Sequence, residues 1–543
     1  MPDAIGEFDP QVIVVGAGPA GLALAIELGS RSIRTLLVEK ESGTGSAPRA
    51  KLCNVRTREH LRRWGVAGRL AEESPFGINY PTNILFVTRL GGPLIARFDE
   101  AFASKPERNH LYSEHAQWIP QYKLETVLLQ HVRSLPSVRT AFQQEFVDLE
   151  EHDGRISASL RDPQTGATRT IEADYLVGAD GGRSRVRERI GAKMEGVYGL
   201  SRNYNTIFEA PGLQEAHRHG PSAIVWQINK DVPSVIGPMD KGDLWFFMPV
   251  GIPDGVTFNP SEMADLIRRS TGIDLPYRIL SSDEWVASRL QADIYSKGRA
   301  FLIGDACHLH PPYGGYGMNM GVADGADLGW KLAAVLQGWA APELLETYEI
   351  ERRPIHRYVM DEAQSNHVLI PHTLAREGIE DEGPLGQAIR QELCELIWKT
   401  KTGEFFTLGV ILGYRYVDSP TIIPNSGDRP WLASSDYSPS AEAGSLAPHQ
   451  WLEDGSSLYD HFGPGFTMLV TDSAARAQAE LVRESAEALG IPFDVFETSN
   501  PEVADLYQAS LALIRPDQHI CWRGEQVPSD LLQIITGQMM PTA

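Results

Sequence analysis

The sequence predicts an α/β fold: a helix-covered parallel sheet, an inserted and mainly antiparallel sheet, and a smaller α/β unit at the carboxyl end. Three observations predict it. Gln11 to Glu39 reads as strand, glycine turn, helix and strand. Ala223 to Val250 holds three aromatic-rich strand candidates separated by turn residues. Residues 419–447 are dense in Pro, Ser, Gly and Asp, and beyond them strand and helix patterns alternate.

The first stretch carries the most chemistry. An apolar, β-branched run ends at Val15 and meets Gly16-Ala17-Gly18-Pro19-Ala20-Gly21, after which Leu22, Ala25, Ile26 and Leu28 recur at helical spacing. Gly16 allows the tight turn, Gly18 lets the backbone approach a pyrophosphate, and Gly21 lets the helix lie against the strands. The helix start, with Ala20 and Gly21, then offers unpaired amides and a partial positive charge to the phosphates. A second run, Thr35 to Val38, ends on Glu39 and Lys40, where the carboxylate is placed to accept hydrogen bonds from a ribose. These features predict a Rossmann-like turn for an adenine dinucleotide.

Further along, Thr57 to Trp64 reads as a helix closed by Gly65, and Ile84 to Val87 with Leu94 to Phe98 as a hairpin. Gln121 opens an amphipathic helix marked by Leu124, Val127, Leu128 and Val132. Phe142 to Leu149, Ile156 to Leu160 and Ala173 to Val177 read as strands, the last entering Gly178-Ala179-Asp180-Gly181. Ala300 to Ile303 is a buried strand that reaches Gly304-Asp305, and a long helix runs from Gly317 to Leu336. Further helices are expected from about Glu343 to His367 and from Pro384 to Leu412. Phe466 to Val470, Ala474 to Leu489, Phe493 to Phe496 and Leu511 to Ile514 make up the final unit.

The bulk numbers exclude several classes. A chain of 543 residues with 42% hydrophobic and 22% charged residues has the composition of a globular enzyme with two or three domains. A formal charge of -22 argues against nucleic acid and against an anionic membrane surface. Cys53, Cys307, Cys394 and Cys521 are not spaced for a disulfide framework or a metal knuckle. No stretch has the length of an apolar membrane span and no signal-peptide pattern opens the chain, so a cytoplasmic location is expected.

The second chemical signal is Gly304-Asp305-Ala306-Cys307-His308-Leu309-His310-Pro311-Pro312-Tyr313-Gly314-Gly315-Tyr316-Gly317-Met318-Asn319-Met320-Gly321. A strand delivers Asp305 to the carboxyl edge of the sheet, where ligands bind in open α/β folds, and a glycine-rich loop then opens a helix. Asp305 suits a sugar-alcohol chain, and the amides from Gly317 to Met320 face whatever negative charge lies ahead of them. His308 and His310 lack an acidic partner at motif spacing, so no metal is expected.

With these residues in view, the chain resembles the FAD-dependent aromatic hydroxylases of the p-hydroxybenzoate hydroxylase fold, in the phenol hydroxylase and hydroxybiphenyl monooxygenase branch. The matching pieces, in the family's order, are Gly16 to Gly21 with Glu39, Arg49-Ala50, Gln121, Gly178 to Gly181, Gly304 to Gly321, and Tyr348 with Glu351-Arg352-Arg353-Pro354. Arg515-Pro516-Asp517 and Cys521-Trp522-Arg523 resemble the close of that branch's thioredoxin-like tail. The resemblance implies that residues 1–195 and 296–418 form the FAD-binding domain, with about 80–110 adding strands to a substrate sheet formed by 196–295. Residues 419–447 would be a linker and 448–543 a thioredoxin-like domain.

The resemblance also implies roles. Arg49 and Gln121 would contact the flavin, Asp180 would lie at the motif shared between flavin and nicotinamide binding, and Asp305 would hold the ribityl chain. Gly315, Gly317, Met318 and Asn319 would lie along its ring, and Pro312 would border the reacting face. NADH or NADPH would reduce FAD, dioxygen would add to the flavin, and one oxygen would pass to a small aromatic substrate in a protein expected to be a homodimer. Lys51 stands where the branch carries an Asp or His that meets the substrate hydroxyl. A lysine is a poorer base unless desolvated, but as a cation it could hold a phenolate or carboxylate. Tyr204, Trp226, Trp245 and Phe247 are the candidate substrate-cavity aromatics. Oxygenation of a polycyclic natural product, oxygen insertion beside a ketone, and a flavin-binding protein without turnover are the alternative readings.

Overall fold

The computed structural model describes residues 8–43, 45, 50–253, 255–366, 371–425 and 427–539. Its central sheet has six strands, in the order Ser296–Lys297, Ala300–Leu302, Tyr175–Gly178, Val12–Val15, Thr35–Glu39 and Val138–Phe142. All neighbours run parallel except the edge pair Ser296–Lys297 with Ala300–Leu302. Val12 to Val15 and Leu36 to Val38 are buried on both faces, as strands between two helical layers must be.

Helix Pro19–Ser30 lies against helix Gly317–Leu336 through glycines on the second. A Cβ on Gly321 would stand 3.2 Å from that of Ala20, one on Gly325 2.8 Å from the Leu24 amide, and one on Gly329 2.4 Å from the Glu27 Cβ. Numbers rise together along both helices. They therefore run parallel, and their amino ends lie side by side.

The second sheet has eight strands, in the order His308–Leu309, Arg278–Ala292, Met194–Glu209, Leu244–Pro249, Ser234–Asp240, Ile224–Gln227, Ile84–Val87 and Leu94–Phe98. Ile84–Val87 and Leu94–Phe98 form the expected hairpin and add the far edge of this sheet. At the near edge His308 and Leu309, from the loop after Asp305, pair with Gln291 and Leu290. The loop is thereby stitched to the sheet that faces it.

The tail sheet runs Phe493–Glu497, Phe466–Val470, Leu511–Ile514 and Ile520–Gly524, with the first pair parallel and the others antiparallel. Helix Arg476–Ala488 connects the parallel pair, as a thioredoxin-like unit requires.

Several elements differ from the sequence reading. Met194–Glu209 and Arg278–Ala292, 16 and 15 residues long, lie outside the strands read from the sequence, because their exposed halves carry no regular alternation of apolar and polar residues. Helix Pro260–Thr271 was also missed, although Asn259 and Glu262 form a capping box at its start. The single strand expected over Phe142 to Leu149 is two, Val138–Phe142 and Glu145–His152, because Gln143 turns at φ 57° and sends the chain into a separate three-stranded sheet. The stretch 419–447 has little regular structure but is firmly held. Arg415 reaches the Glu442 carboxylate and the Ala443 carbonyl, and the Gly444 amide donates to the Ile520 carbonyl.

Candidate active site

Gly16 adopts φ 109°, and a Cβ there would stand 2.3 Å from the Ala179 carbonyl oxygen, so the turn admits no side chain. Gly21 is as closely set, 2.0 Å from the Gly16 oxygen by the same measure. Gly18 differs, because a Cβ on it would meet nothing within 4 Å. Packing does not require that glycine, and it leaves open space above the helix start. No side chain caps the helix there or at Gly317. Two adjacent helix ends thus present unpaired amides to one region.

Around these ends the strand-terminal residues gather. Glu39 accepts from the Ala17 amide at 2.9 Å and the Glu41 amide at 3.0 Å, and Lys40 beside it is exposed. Asp180 accepts from the Arg185 and Val186 amides through one oxygen, while its other oxygen is buried without a hydrogen-bond partner. Burial pushes its carboxyl up. Asp305 and Pro312 are exposed on the loop that follows Ala300–Leu302.

The loop itself is clamped from three sides. Asn319 accepts from the Asn54 amide at 3.0 Å and donates to the Leu52 and Gly315 carbonyls at 3.0 and 2.7 Å. That side chain is therefore committed to the loop, and only its main chain can face a cofactor. Gly315, at φ 68°, packs against Leu52, whose Cδ2 would stand 3.0 Å from an added Cβ. Glu404 takes the Gly314 amide and the Lys401 ammonium. Gln121 accepts from the Ala50 amide and donates to Glu125, fixing the chain beside Arg49, which itself lies outside the described residues.

The structure divides the four aromatic candidates between the two faces of the sheet. Tyr204, Trp245 and Phe247 pack with Phe208, Met263 and Ile267 in a core between the sheet and helix Pro260–Thr271, on the side away from the loop. The Tyr204 hydroxyl is engaged there, donating to the Val256 carbonyl at 2.6 Å. Strand alternation turns Phe246 the other way, into a cluster with Leu52, Trp226, Tyr316 and Met320. Trp226 and Phe246 thus stand on the loop side of the sheet, and Tyr204, Trp245 and Phe247 on the other. The unrecognised helix 260–271 was the missing signal, since it must cover one face of those strands.

Lys51 lies on the loop side, with its Nζ 4.1 Å from the centre of the Phe246 ring. Its carbonyl accepts from the Ile119 amide, which fixes the backbone beside strand Leu52–Cys53. Burial lowers its pKa from 10.5 to about 8.

Beneath the loop lies a buried ionic network that joins Glu351, Arg352, Arg515 and Asp517, all from the motifs Glu351-Arg352-Arg353-Pro354 and Arg515-Pro516-Asp517, to Asp324, Asp327 and Lys331. Asp324 accepts from the Gly304 amide, His308, His356 and Arg352 at 2.7 to 3.0 Å. Burial opposes its ionisation, but the facing His356, His308 and Arg352 hold its carboxyl well below the usual range. Further along the helix Lys331 donates to both Asp327 and Glu351, and Arg515 from the tail domain donates to Glu351, Asp327 and Asp517. Burial pushes Asp327 up to about 7; Glu351 is also disfavoured by burial, yet Arg515 and Lys331 take it down to about 2. The tail domain is thereby tied to the helix that starts at the cofactor loop.

A turn that only glycine can make, two uncapped helix ends in register and an orphaned carboxylate oxygen at the strand tips fit the phosphates, ribose and ring of FAD. Fold and site together define a flavin-binding oxidoreductase. Residues 9–363 match the FAD binding domain family, and residues 440–539 the aromatic-ring hydroxylase C-terminal family. The chain is 31% identical to 2,4-dichlorophenol 6-monooxygenase of Delftia acidovorans, over 95% of each protein. It is 29% identical to phenol 2-monooxygenase of a Pseudomonas species, over 100% of this chain and 95% of that one. Among solved structures, the rebeccamycin biosynthetic enzyme RebC with reduced flavin superposes with a TM-score of 0.89 at 31% identity, covering 98% of this chain and 99% of RebC. The chain belongs to the FAD-dependent aromatic-ring hydroxylase family and is a flavoprotein monooxygenase.

Proposed function

We propose that the protein hydroxylates a phenolic or similarly activated aromatic ring, using NADH or NADPH and dioxygen. The observation that carries this reading is the placement of Phe246, Trp226 and Lys51 opposite the loop from Asp305 to Gly317, where the two uncapped helix ends meet. Bound FAD supplies the redox chemistry, accepting electrons from the nicotinamide and activating dioxygen.

This chain's residues supply the rest. Amides at Gly18 to Gly21 bind the pyrophosphate, and Glu39 and Asp180 the sugars. Arg49 and Gln121 hold the nucleotide's flank, and Asp305 the ribityl chain. Amides from Gly317 to Asn319 stabilise negative charge on the ring without reorganising. Phe246 and Trp226 exclude water from the reacting face, which Pro312 borders. Polycyclic aromatics are the second reading, favoured by the TM-score of 0.89 to an enzyme of rebeccamycin biosynthesis.

Holoenzyme incubated with labelled dioxygen, NAD(P)H and a panel running from simple phenols to polyketide-like aromatics tests both. Label in a hydroxylated product, with substrate-stimulated NAD(P)H oxidation, is expected. NAD(P)H oxidation that no aromatic stimulates, with no label in product, refutes the reading. A cytoplasmic homodimer is proposed in addition. Trp398 and Phe406, exposed together against Phe98 near the end of helix Pro384–Phe405, support a second copy, and light scattering at twice the chain mass would bear it out.

A further inference from the structure

Two lysines reach the loop side of the substrate sheet, and their surroundings differ. Lys401 has its Nζ 4.6 Å from the centre of the Trp226 ring and is already neutralised: it donates to Glu404 and to the Asn366 carbonyl, both at 2.7 Å. Lys51 has its Nζ over Phe246, and among the described residues no carboxylate, carbonyl or hydroxyl accepts a hydrogen bond from it. An aromatic face is a partial substitute for water around an ammonium, not a counterion. Cations held away from water ordinarily have a carboxylate beside them, and the neighbouring lysine in the same site follows that rule. Lys51 is the exception.

Its position gives the exception a use. The next residue, Leu52, touches Gly315 of the cofactor loop and accepts from Asn319, and Phe246 belongs to the sheet that faces this loop. The ammonium therefore stands between the loop and the sheet, where an aromatic substrate must lie if the hydroxylase reading of the site holds. A half-buried cation there favours a ligand that brings its own negative charge and disfavours one that leaves the ammonium unpaired.

We propose that Lys51 is a substrate-binding and specificity-determining residue, and that the substrate carries an oxyanion on or beside its aromatic ring, a phenolate or a ring carboxylate, which pairs with the Lys51 ammonium. The proposal rests on the hydroxylase reading and adds the charge of the substrate. Electron release from a phenolate held this way would also enrich the ring toward an electrophilic oxygen, whereas a carboxylate would serve only to orient it.

The test uses FAD-loaded wild type, Lys51→Met and Lys51→Arg. Ligand binding is read by flavin fluorescence and by calorimetry with 2-naphthoate, methyl 2-naphthoate, 2-naphthol and 2-methoxynaphthalene, and with the matching one-ring set. Wild type is expected to bind at least one anion-forming member tenfold or more tightly than its neutral partner. Lys51→Arg should keep that preference, and Lys51→Met should lose it while binding the neutral partners within about threefold of wild type. Loss of preference only in the carboxylate pairs assigns a carboxylate, and only in the phenol pairs a phenolate. A wild type without any such preference, or a Lys51→Met variant that retains it, overturns the proposal. Flavin content and the basal NAD(P)H oxidation rate are measured on each variant. Wild type that neither holds FAD nor oxidises NAD(P)H would instead sink the hydroxylase reading itself.

Discussion

Replacing Lys51 with methionine should make the protein more stable, because the native lysine is held as an uncompensated cation. Burial takes its pKa from 10.5 to about 8. At about 1.4 kcal/mol for each tenfold change in proton affinity, keeping that lysine charged in the fold costs about 3.5 kcal/mol. The Phe246 face returns about 0.5 to 2 kcal/mol when desolvated, which reduces the net cost to roughly 1.5 to 3 kcal/mol without cancelling it.

The sign follows from linkage. Below pH 8 the lysine is charged in both folded and unfolded chains, and the full penalty applies. Between pH 8 and 10.5 the folded form is neutral while the unfolded form still binds a proton, so the penalty falls away as pH rises. Thermal unfolding of holoenzyme should therefore place Lys51→Met above wild type at pH 7 by up to about 3 °C for a chain of this size. The gap should close as pH approaches 10. A variant no more stable than wild type at pH 7, or a gap that does not change with pH, would refute a half-buried and unpaired cation. A bound aromatic anion should reverse the order, since only wild type gains from it.

Gly18→Ala should leave folding unchanged, because its Cβ meets nothing within 4 Å, yet weaken FAD binding tenfold or more; Gly16→Ala should lose both, given its φ of 109° and the 2.3 Å approach to Ala179. Calorimetric FAD titration of the apoprotein with circular dichroism separates the two variants. Arg515→Met strips Glu351 and Asp327 of a shared partner and should cost about 3 to 5 kcal/mol in denaturant unfolding, with the tail domain released first by limited proteolysis. Glu351, held down at about 2 by Arg515 and Lys331 against burial, contributes stability that is full above pH 4.5 and lost as pH falls through 2. Acid titration of Glu351→Gln against wild type should show a gap that narrows over that window. Phe246→Ala should impair aromatic binding far more than Phe247→Leu, because only the first faces the cofactor loop; equal effects would contradict the strand register.

The parts of the site that were legible in the sequence are those whose chemistry is local. A glycine turn between a strand and a helix is written in consecutive residues, and so is the loop from Gly304 to Gly321, because helix ends and tight turns are set by neighbours along the chain. Aromatic strands could be recognised, but not the face each residue shows. Trp245, Phe246 and Phe247 read alike, and a shift of one residue exchanges cavity for outer core. Lys51 could be singled out by position, but its want of a counterion depended on what the fold brings near it.

By itself, then, the sequence determined the dinucleotide turn, the α/β class, the family and the order of the cofactor-binding pieces. The tertiary structure decided which sheet face meets the cofactor loop, which of two lysines goes uncompensated, and that the tail is bolted to the flavin helix through Arg515 and Glu351, 164 residues apart. Charges that far apart in the chain carry no spacing to recognise. They become partners only when folding removes them from water and leaves each with no other group to neutralise it.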